Sequence, residues 1–327
     1  MFVEEILKLQ NNVVIEGTYV ITDIKLKPFA DKDGHFLVFN LQDKTGTVSC
    51  KIWDNAELIA SQIKDQNISI VDIKGRTNIY NNKLQIIVEK IKKSEEYDVK
   101  NLIKISSNDP KQMREELVQI LDSNLKDNDL RKIWQYFAES VLDKFCLWPG
   151  GKGAVHHTYQ HGLLEHTLSV VNIVLNFKSR LNFNCEKAIL GSFLHDIGKL
   201  EAYSYDSIKI SMTDIGRLHE HTVLSYFMFR KAIETLDLIN KNPIIEDVGH
   251  IILSHHGAKE QFAFIKPMTI EAKLVSWADF IDAESNHMNQ QLEHNCDEHG
   301  WFFDTLYSQF FFKRPEQILQ LKKRKIK

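Results

Sequence analysis

Seven side chains in this sequence have the types and surroundings to bind metal. They are His166 in "GLLEHTLSVV", His195 and Asp196 in "FLHDIG", His221 in "RLHEHTVLS", His255 and His256 in "IILSHHG", and Asp279 in "LVSWADFIDA". Asp196 stands among Phe193, Leu194, Ile197 and Leu200, and a carboxylate taken out of water must be paired or bound to a cation. A lone histidine on an apolar face is more often a hydrogen-bonded core residue than a ligand. Seven such residues together reverse that expectation. Imidazole nitrogens and carboxylate oxygens suit Mn, Fe, Co, Ni or Zn, whereas Mg or Ca calls for an all-oxygen shell. Neighbouring residues on a helix point about 100° apart, so the His-Asp and His-His pairs can address two metals or two sides of one, and Asp196 can bridge.

The elements that must position these residues follow from periodicity. Beyond Pro110 the stretches "KQMREELVQILDSNL", "LRKIWQYFAESVLDKF", "GLLEHTLSVVNIVLNFKSRL", "CEKAILGSFLHDIGKL", "HTVLSYFMFRKAIETLDLI", "IIEDVGHIILSHHG" and "TIEAKLVSWADFIDAESNHM" place apolar residues at three- and four-residue steps, the pattern of amphipathic helices. This part reads as all-α. Up to Lys93 the pattern is instead strand-like: "VVIEGTYVITDIKL", "HFLVFNLQD", "TVSCKIWD", a helical "NAELIASQIK", then "NISIVDIKGRTNIY" and "KLQIIVEKIKK". Three strands, a helix and two strands is the order of an OB-fold barrel, a fold that binds oligonucleotides or oligosaccharides. The expected organisation is a barrel over 1–93, a linker over 94–108 in "SEEYDVKNLIKISSNDP", a helical domain over 109–300, and a basic tail over 301–327.

Length and composition agree with two domains, since 327 residues with 43% hydrophobic and 10% aromatic side chains can fill two cores. Glu4 and Glu5 stand where a signal peptide would be basic, and no stretch approaches the roughly 18 apolar residues of a membrane span. A cytoplasmic location with no membrane partner is expected. The four cysteines, Cys50, Cys146, Cys185 and Cys296, form no CxxC pair, which fits buried thiols in a reducing compartment. The net charge of −3 is unevenly spread, with an acidic middle and the terminal run "LKKRKIK". That run reads first as a solvated helix end and otherwise as a phosphate-binding tail.

On the barrel, Phe29, Phe36 and Tyr80 lie near strand ends or loops where a base could stack, with Lys27, Lys51 and Arg76 available for phosphates. Trp53 weighs less because it sits on an alternating, half-buried strand.

The order H…HD…H…HH…D is similar to that of the two-metal HD-domain metal-dependent phosphohydrolases. With the N-terminal OB domain, "HHTYQHGLLEHT", "FLHDIGK", "LSHHG", "DFIDA" and a late "FFFKRP", nearly the whole chain resembles the YhaM-type 3′→5′ exoribonucleases. The resemblance implies two divalent transition-metal ions, Mn foremost with Fe, Co, Ni or Zn as alternatives. It assigns His166, His195, Asp196 and Asp279 to one ion and Asp196, His221, His255 and His256 to the other. Two such ions activate a water and stabilise the attacking and leaving oxygens of a phosphodiester displacement. Lys199 resembles the lysine that faces the scissile phosphate, so Asp196 and Lys199 are the expected catalytic pair. His156 and His157 match a histidine pair near substrate phosphate.

The implied partners are single-stranded RNA or single-stranded DNA, with self-assembly left open. Asp282 and Glu165 are expected to orient ligands rather than bind metal. His161 departs from the family's small residue, and His221 fits the ligand position better than His219. "AKEQFAFIKP" stands where the family shows a Trp-Gly-Ser-Pro-like stretch, which leaves substrate preference less secure than hydrolysis. Two other readings are an HD-type cyclic-dinucleotide or nucleotide phosphohydrolase, disfavoured by the missing GYP-type signature, and a non-catalytic nucleic-acid-binding adaptor, disfavoured by the intact ligand set.

Overall fold

The computed structural model describes residues 1–81, 83–151, 156–239, 241–257, 264–294, 296–297 and 299–314. The chain divides into two compact units. The first comprises Met1–Ile105 with Tyr205–Ile210, and the second Ser106–Ser204 with the described residues from Ser211 on.

In the first unit a short helix α1 (Val3–Ile6) precedes β1 (Val14–Pro28), β2 (His35–Asp43), β3 (Gly46–Ile52), α2 (Ala56–Asp65), β4 (Ile70–Tyr80) and β5 (Lys83–Lys93). The strands close into a barrel in the order β1-β2-β3-β5-β4. Closure comes from β1 pairing antiparallel with both β2 and β4, and from a parallel β3–β5 contact at Cys50↔Ile86 and Lys51↔Ile87. Alternation drives it: Leu37, Phe39 and Leu41 of β2 point inward with Ile15, Tyr19, Ile21, Val48, Ile73 and Ile86. Asp43, also buried, accepts the Val3 amide at 2.7 Å and the Thr45 amide at 2.7 Å, which fixes α1 against the barrel.

The expected linker differs from what the fold shows. Residues Val99–Leu102 form a helical turn α3, and Leu102 and Ile103 are buried against Val20 and Ile70. An apolar pair inside a polar stretch thus holds the segment through Ile105 to the first unit.

The second unit is helical: α4 (Pro110–Asn124), α5 (Asn128–Ser140), α6 (Leu142–Leu147), α7 (Gly162–Asn176), α8 (Cys185–Leu194), α9 (Lys199–Ala202), α10 (Asp214–Thr235), α11 (Pro243–Ser254) and α12 (Ile270–His294). Side-chain caps fix several starts: Asp109 before Pro110, Asp127, Asn184, Thr213, and Asn242 before Pro243 each accept a first-turn amide. Two short hairpins add to the expected all-helical pattern, β6 (Tyr203–Tyr205) with β7 (Ile210–Met212), whose stretch Tyr205–Ile210 belongs to the first unit, and β8 (Trp301–Asp304) with β9 (Gln309–Phe312). The second lies at the start of the expected basic tail, where "WFFD" and "QFFF" are too short and too aromatic to show helical periodicity. The run "LKKRKIK" lies outside the described residues. No helix among the described residues is long and apolar enough to cross a membrane.

The core of this unit sits directly behind the His-Asp pair. Phe193 on α8 meets Trp134 edge-on at 5.0 Å between centroids, Phe145 at 5.3 Å and Phe137 at 6.4 Å, and all four are buried. Phe193→Ala should therefore lower the unfolding free energy by about 3–5 kcal/mol, the cost of removing a buried aromatic ring. Urea unfolding followed by circular dichroism checks it, and a loss under about 1 kcal/mol would show that this cluster does not hold the helices.

Candidate metal centre

Five helices deliver the seven candidate ligands. Gly191 on α8 lets α11 approach, since a Cβ there would lie 2.6 Å from Ile251 Cγ2. The helices consequently end side by side, and their C-terminal residues His195 and His255 stack edge-on at 4.9 Å. The last carbonyls of a helix lack intrahelical donors, and both histidines exploit this in the same way. His195 Nδ1 donates to Ser192 O at 2.6 Å, and His255 Nδ1 donates to Ile252 O at 2.7 Å. A carbonyl only accepts, so the proton sits on Nδ1 and each Nε2 lone pair is turned towards Asp196, at 3.3 Å from Oδ2 for His195 and 3.9 Å from Oδ1 for His255. This is the tautomer that metal-binding histidines adopt when a backbone acceptor holds the other nitrogen.

His166 on α7 faces Asp282 of α12 through Nδ1 at 2.6 Å. Its Nε2 lies 3.2 Å from His195 Nε2, 3.2 Å from Asp279 Oδ1 and 3.5 Å from Asp196 Oδ2. On the other side of Asp196, His221 Nε2 is 3.3 Å from Oδ1 and 3.0 Å from His256 Nε2, and His256 Nδ1 is 3.8 Å from Asp279 Oδ2. His221 follows a break in α10, where Glu220 takes φ 60° and ψ 155°, a backbone region nearly reserved for glycine. Gly198 makes the same corner: a Cβ there would lie 2.2 Å from the His221 carbonyl and 2.3 Å from the Ser225 amide, and its own amide donates to Ser225 Oγ at 2.8 Å. The glycine of "HDIGK" is the space into which the kinked helix fits.

The cluster fits a metal by its own chemistry. Asp196 Oδ1 and His255 Nε2 are buried without a hydrogen-bond partner, and orphaned buried polar atoms of this kind are costly unless a cation or water meets them. Two groups of three expected ligands, His166/His195/Asp196 and His221/His255/His256, bring one donor atom each within 4.8 Å of one another, and a third group of the same closeness joins His156 and His157 to His166. His166, His195 and His255 are fully enclosed, while the side chains of His221 and His256 keep 15% and 30% of their surface, so solvent reaches the second group.

With protons as the only positive charge, the two halves differ. Burial opposes the charge on His166, but hydrogen bonds to Asp279 and Asp282 outweigh it and raise it to about 10. Burial and the neighbouring histidines push His255 well down, and burial with His221 holds His256 at about 4. Burial opposes ionisation of Asp196, yet Lys199, His195 and His221 hold it well below the usual carboxylate range.

Several expected residues stand elsewhere. Lys199 is buried, and its Nζ lies 2.6 Å from Asp196 Oδ2 and donates to Gly150 O at 2.5 Å. Its charge is paired with Asp196. His157 is 2% exposed with Nε2 on Asp282 at 2.8 Å and Nδ1 on the Tyr159 hydroxyl at 2.9 Å, so both ring nitrogens are paired within the protein. His156 keeps an unpartnered Nδ1 and stacks 5.0 Å from His166. Burial, with His166 nearby, keeps it neutral by lowering it to about 2. Asp282 does orient His166, whereas Glu165 binds Ser106 Oγ at 2.6 Å and Asn108 at 3.1 Å instead. His161 is an αL residue before α7 that donates to Cys146 O at 2.6 Å, and His219 is exposed beside Phe227. Most of "AKEQFAFIKP" lies outside the described residues. Sequence reading missed Tyr159, Asn286 and Gly198; only Gly198, a glycine inside an apolar helical pattern, carried a local signal.

On the barrel, Phe29, Phe36 and Trp53 pack at 5.4, 6.1 and 4.9 Å. The Lys51 ammonium lies 5.4 Å from Trp53 and 5.3 Å from Tyr80, and Lys32 lies 4.1 Å over Phe29. Trp53 is 40% exposed and Tyr80 61%, so Trp53 belongs to the surface set that the alternation argument discounted. Lys27 pairs with Phe36 across β1 and β2, and Arg76 shares the outward row through Ile87 with Lys51, bonded to Glu89 at 3.1 Å.

Residues 163–284 match the HD domain family and residues 13–93 match the OB-fold nucleic acid binding domain, so the chain carries an OB-fold domain followed by a helical HD domain, a class that implies divalent-metal binding. Along most of its length it is similar to 3'-5' exoribonuclease YhaM. The protein of that name from Geobacillus sp. (strain WCH70) is 27% identical over 285 residues, 84% of each chain. Its counterpart from Bacillus subtilis (strain 168) is 25% identical over 280 residues, 84% of this chain and 87% of that one. Among solved structures, part of the chain aligns with the second OB-fold domain of replication protein A from Methanococcus maripaludis at 19% identity, over 28% of this chain and 95% of that one, with a TM-score of 0.22.

A cation entering the first half-site must displace the proton of His166, so the proton competes below its raised value and competes harder as pH falls. Affinity for a divalent transition metal should rise between pH 6 and 9, by up to about tenfold per pH unit for one competing proton, with about one proton released per chain. Calorimetric titration in buffers of different ionisation enthalpy measures both. Equal affinity and no proton release would remove His166 from the ligand set.

Proposed function

We propose that this chain is a metal-dependent 3′→5′ exoribonuclease that holds two divalent transition-metal ions, Mn foremost, and hydrolyses single-stranded RNA from its 3′ end. The observation that carries the reading is the gathering of six other candidate ligands around Asp196, with Oδ1 and the facing His255 Nε2 both unpartnered. The similarity to 3'-5' exoribonuclease YhaM over 84% of the chain supports the polarity and the substrate.

His166, His195, Asp196 and Asp279 would hold one ion and Asp196, His221, His255 and His256 the other. When bound, such a pair supplies Lewis-acid stabilisation of the phosphodiester and a nucleophilic water at neutral pH. The chain's own contribution is positional. Lys199 keeps Asp196 ionised and oriented, Asp282 holds the His166 ring, and Tyr159 with Asn286 fixes His157 behind Asp282. His156, kept neutral by burial and with its enclosed Nδ1 unpartnered, is the histidine of the pair with a ring nitrogen not committed to a protein partner. On the barrel, Phe29, Phe36, Trp53 and Tyr80 with Lys51 supply rings and charge for a single strand, since OB barrels bind through the β2–β3 face and adjoining loops.

A 5′-labelled single-stranded RNA should give a ladder of progressively shorter labelled products in Mn²⁺ and none in excess EDTA, while circular dichroism stays unchanged. Asp196→Asn should remove the shared oxygen charge, lower bound metal by elemental analysis and reduce turnover at least about a hundredfold, the scale of losing a key electrostatic group. Full activity in EDTA, or near-normal turnover of the variant, would refute the two-metal reading. For the barrel, Phe36→Ala with Trp53→Ala should raise KM on a strand of about 20 nucleotides roughly tenfold, since each stacked base contributes about 1–3 kcal/mol. Turnover of a two- to four-nucleotide substrate should not change, and equal losses on both lengths would show that the barrel shapes the reaction site rather than capturing strand.

A further inference from the structure

The β8–β9 hairpin presents a face of aromatic rings that the metal centre does not use. Its register pairs Trp301 with Phe312 and Phe303 with Phe310, and because strand residues alternate these four project on one side. They are exposed at 46%, 44%, 46% and 65% respectively. Their rings form one chain: Phe312 to Trp301 at 4.6 Å, Trp301 to Phe310 at 6.3 Å, and Phe310 to Phe303 at 4.9 Å. The opposite side is fixed to the protein. Phe311 is 3% exposed beside His287, and Asp304 accepts from His287 Nε2 at 2.6 Å and from the Leu306 and Tyr307 amides. Gly300 closes the base with φ +90°, and its carbonyl accepts the Lys313 amide at 2.9 Å. The hairpin is thus a rigid mount, and rigidity is what an exposed stacking surface needs to bind without a large ordering cost.

We infer that this hairpin is a second base-stacking platform for single-stranded nucleic acid, contributed by the catalytic unit. The inference deepens the reading of the metal centre and rests on it for the identity of the strand. Three features select a nucleic acid over a protein. The outward face of the two strands holds four aromatic rings, with Leu306 exposed in the turn beyond them, and a π-face stacks on any base. Asp304, the only carboxylate within the strands, is turned inward and bonded, while at the open end Lys313 and Arg314 follow the last strand and set two cations against one described carboxylate, Asp297, which is tied to the Trp301 amide at 2.8 Å. The anchoring residue His287 lies on α12, the helix that carries Asp279, eight residues and on the order of 12 Å along its axis.

The test measures binding and hydrolysis separately on the full chain. In EDTA, fluorescence anisotropy with a labelled single-stranded RNA of about 20 nucleotides should show Kd rising at least about tenfold for Trp301→Ala with Phe310→Ala, since one lost stacked base already weakens binding by that order. Trp301→Phe with Phe310→Tyr keeps the rings and should bind as the unchanged protein does. Phe310→Ala alone, at the most exposed ring, gives an independent reading if the double variant folds poorly. An unchanged Kd in folded variants would overturn the proposal. So would an unchanged Kd accompanied by a drop in mass by light scattering, which would make the face a contact between copies of this chain. Ring-dependent binding without any metal-dependent hydrolysis would instead refute the exonuclease reading and leave the platform standing.

Discussion

The structure of the helical unit depends on one buried carboxylate. Asp196 is 2% exposed, and stripping a carboxylate of water costs several kcal/mol even after a protein relaxes around it. Lys199, itself buried, meets Oδ2 at 2.6 Å, and removing one partner of such a pair typically costs about 3–5 kcal/mol. A buried ion pair is nevertheless a poor device for stability, because apolar residues of the same volume often serve as well. What Lys199 does not satisfy is informative: Oδ1 is left without a hydrogen bond and faces Nε2 of both His221 and His255. One lysine keeps the charge tolerable, and the open oxygen keeps the site able to receive a cation.

The backbone is bent to serve that oxygen. Helices α8 and α11 end at the same level because Gly191 admits Ile251, and each terminal histidine uses an otherwise orphaned carbonyl to fix its tautomer. On the third side the chain accepts strain, with Glu220 in a conformation that costs about 1–3 kcal/mol so that His221 turns inward beside Gly198. The two adjustments belong together. A straight α10 would carry His221 past Asp196, and any side chain at position 198 would collide with the kinked backbone.

Much of this was legible in the residues, for reasons that also explain the rest. The barrel strands follow from period-two alternation bounded by turns, and "HFLVFNLQD" and "KLQIIVEKIKK" coincide with β2 and β5 end to end. The candidate ligands are legible because seven metal-type side chains in apolar helical segments have few other uses. Roles that depend on distance were not. Lys199 and His157 lie within the motif, but whether such groups meet substrate or a carboxylate is decided by helix packing, which sets Lys199 on Asp196 and His157 on Asp282. Trp53 looked half-buried because alternation predicts facing within a strand, and the residue stands just past the end of β3. The β8–β9 hairpin escaped because four-residue strands give too few positions for any period to show.

The uneven charge of the chain places a further demand on how it meets a polyanion. Its middle, which contains the metal centre, is acidic, and a phosphodiester approaching Asp196 and Asp279 is repelled until cations reverse the local field. Long-range attraction therefore cannot come from this unit alone, and salt-screened steering by scattered lysines is weak beyond about 10 Å. Stacking avoids the difficulty, because a base binds an aromatic face without regard to net charge. The barrel cluster around Trp53 and Lys51 supplies rings with adjacent charge, and Trp301, Phe303, Phe310 and Phe312 supply rings on the acidic unit itself. Aromatic surfaces on both units therefore suit a polyanionic strand better than scattered charge on an acidic unit would.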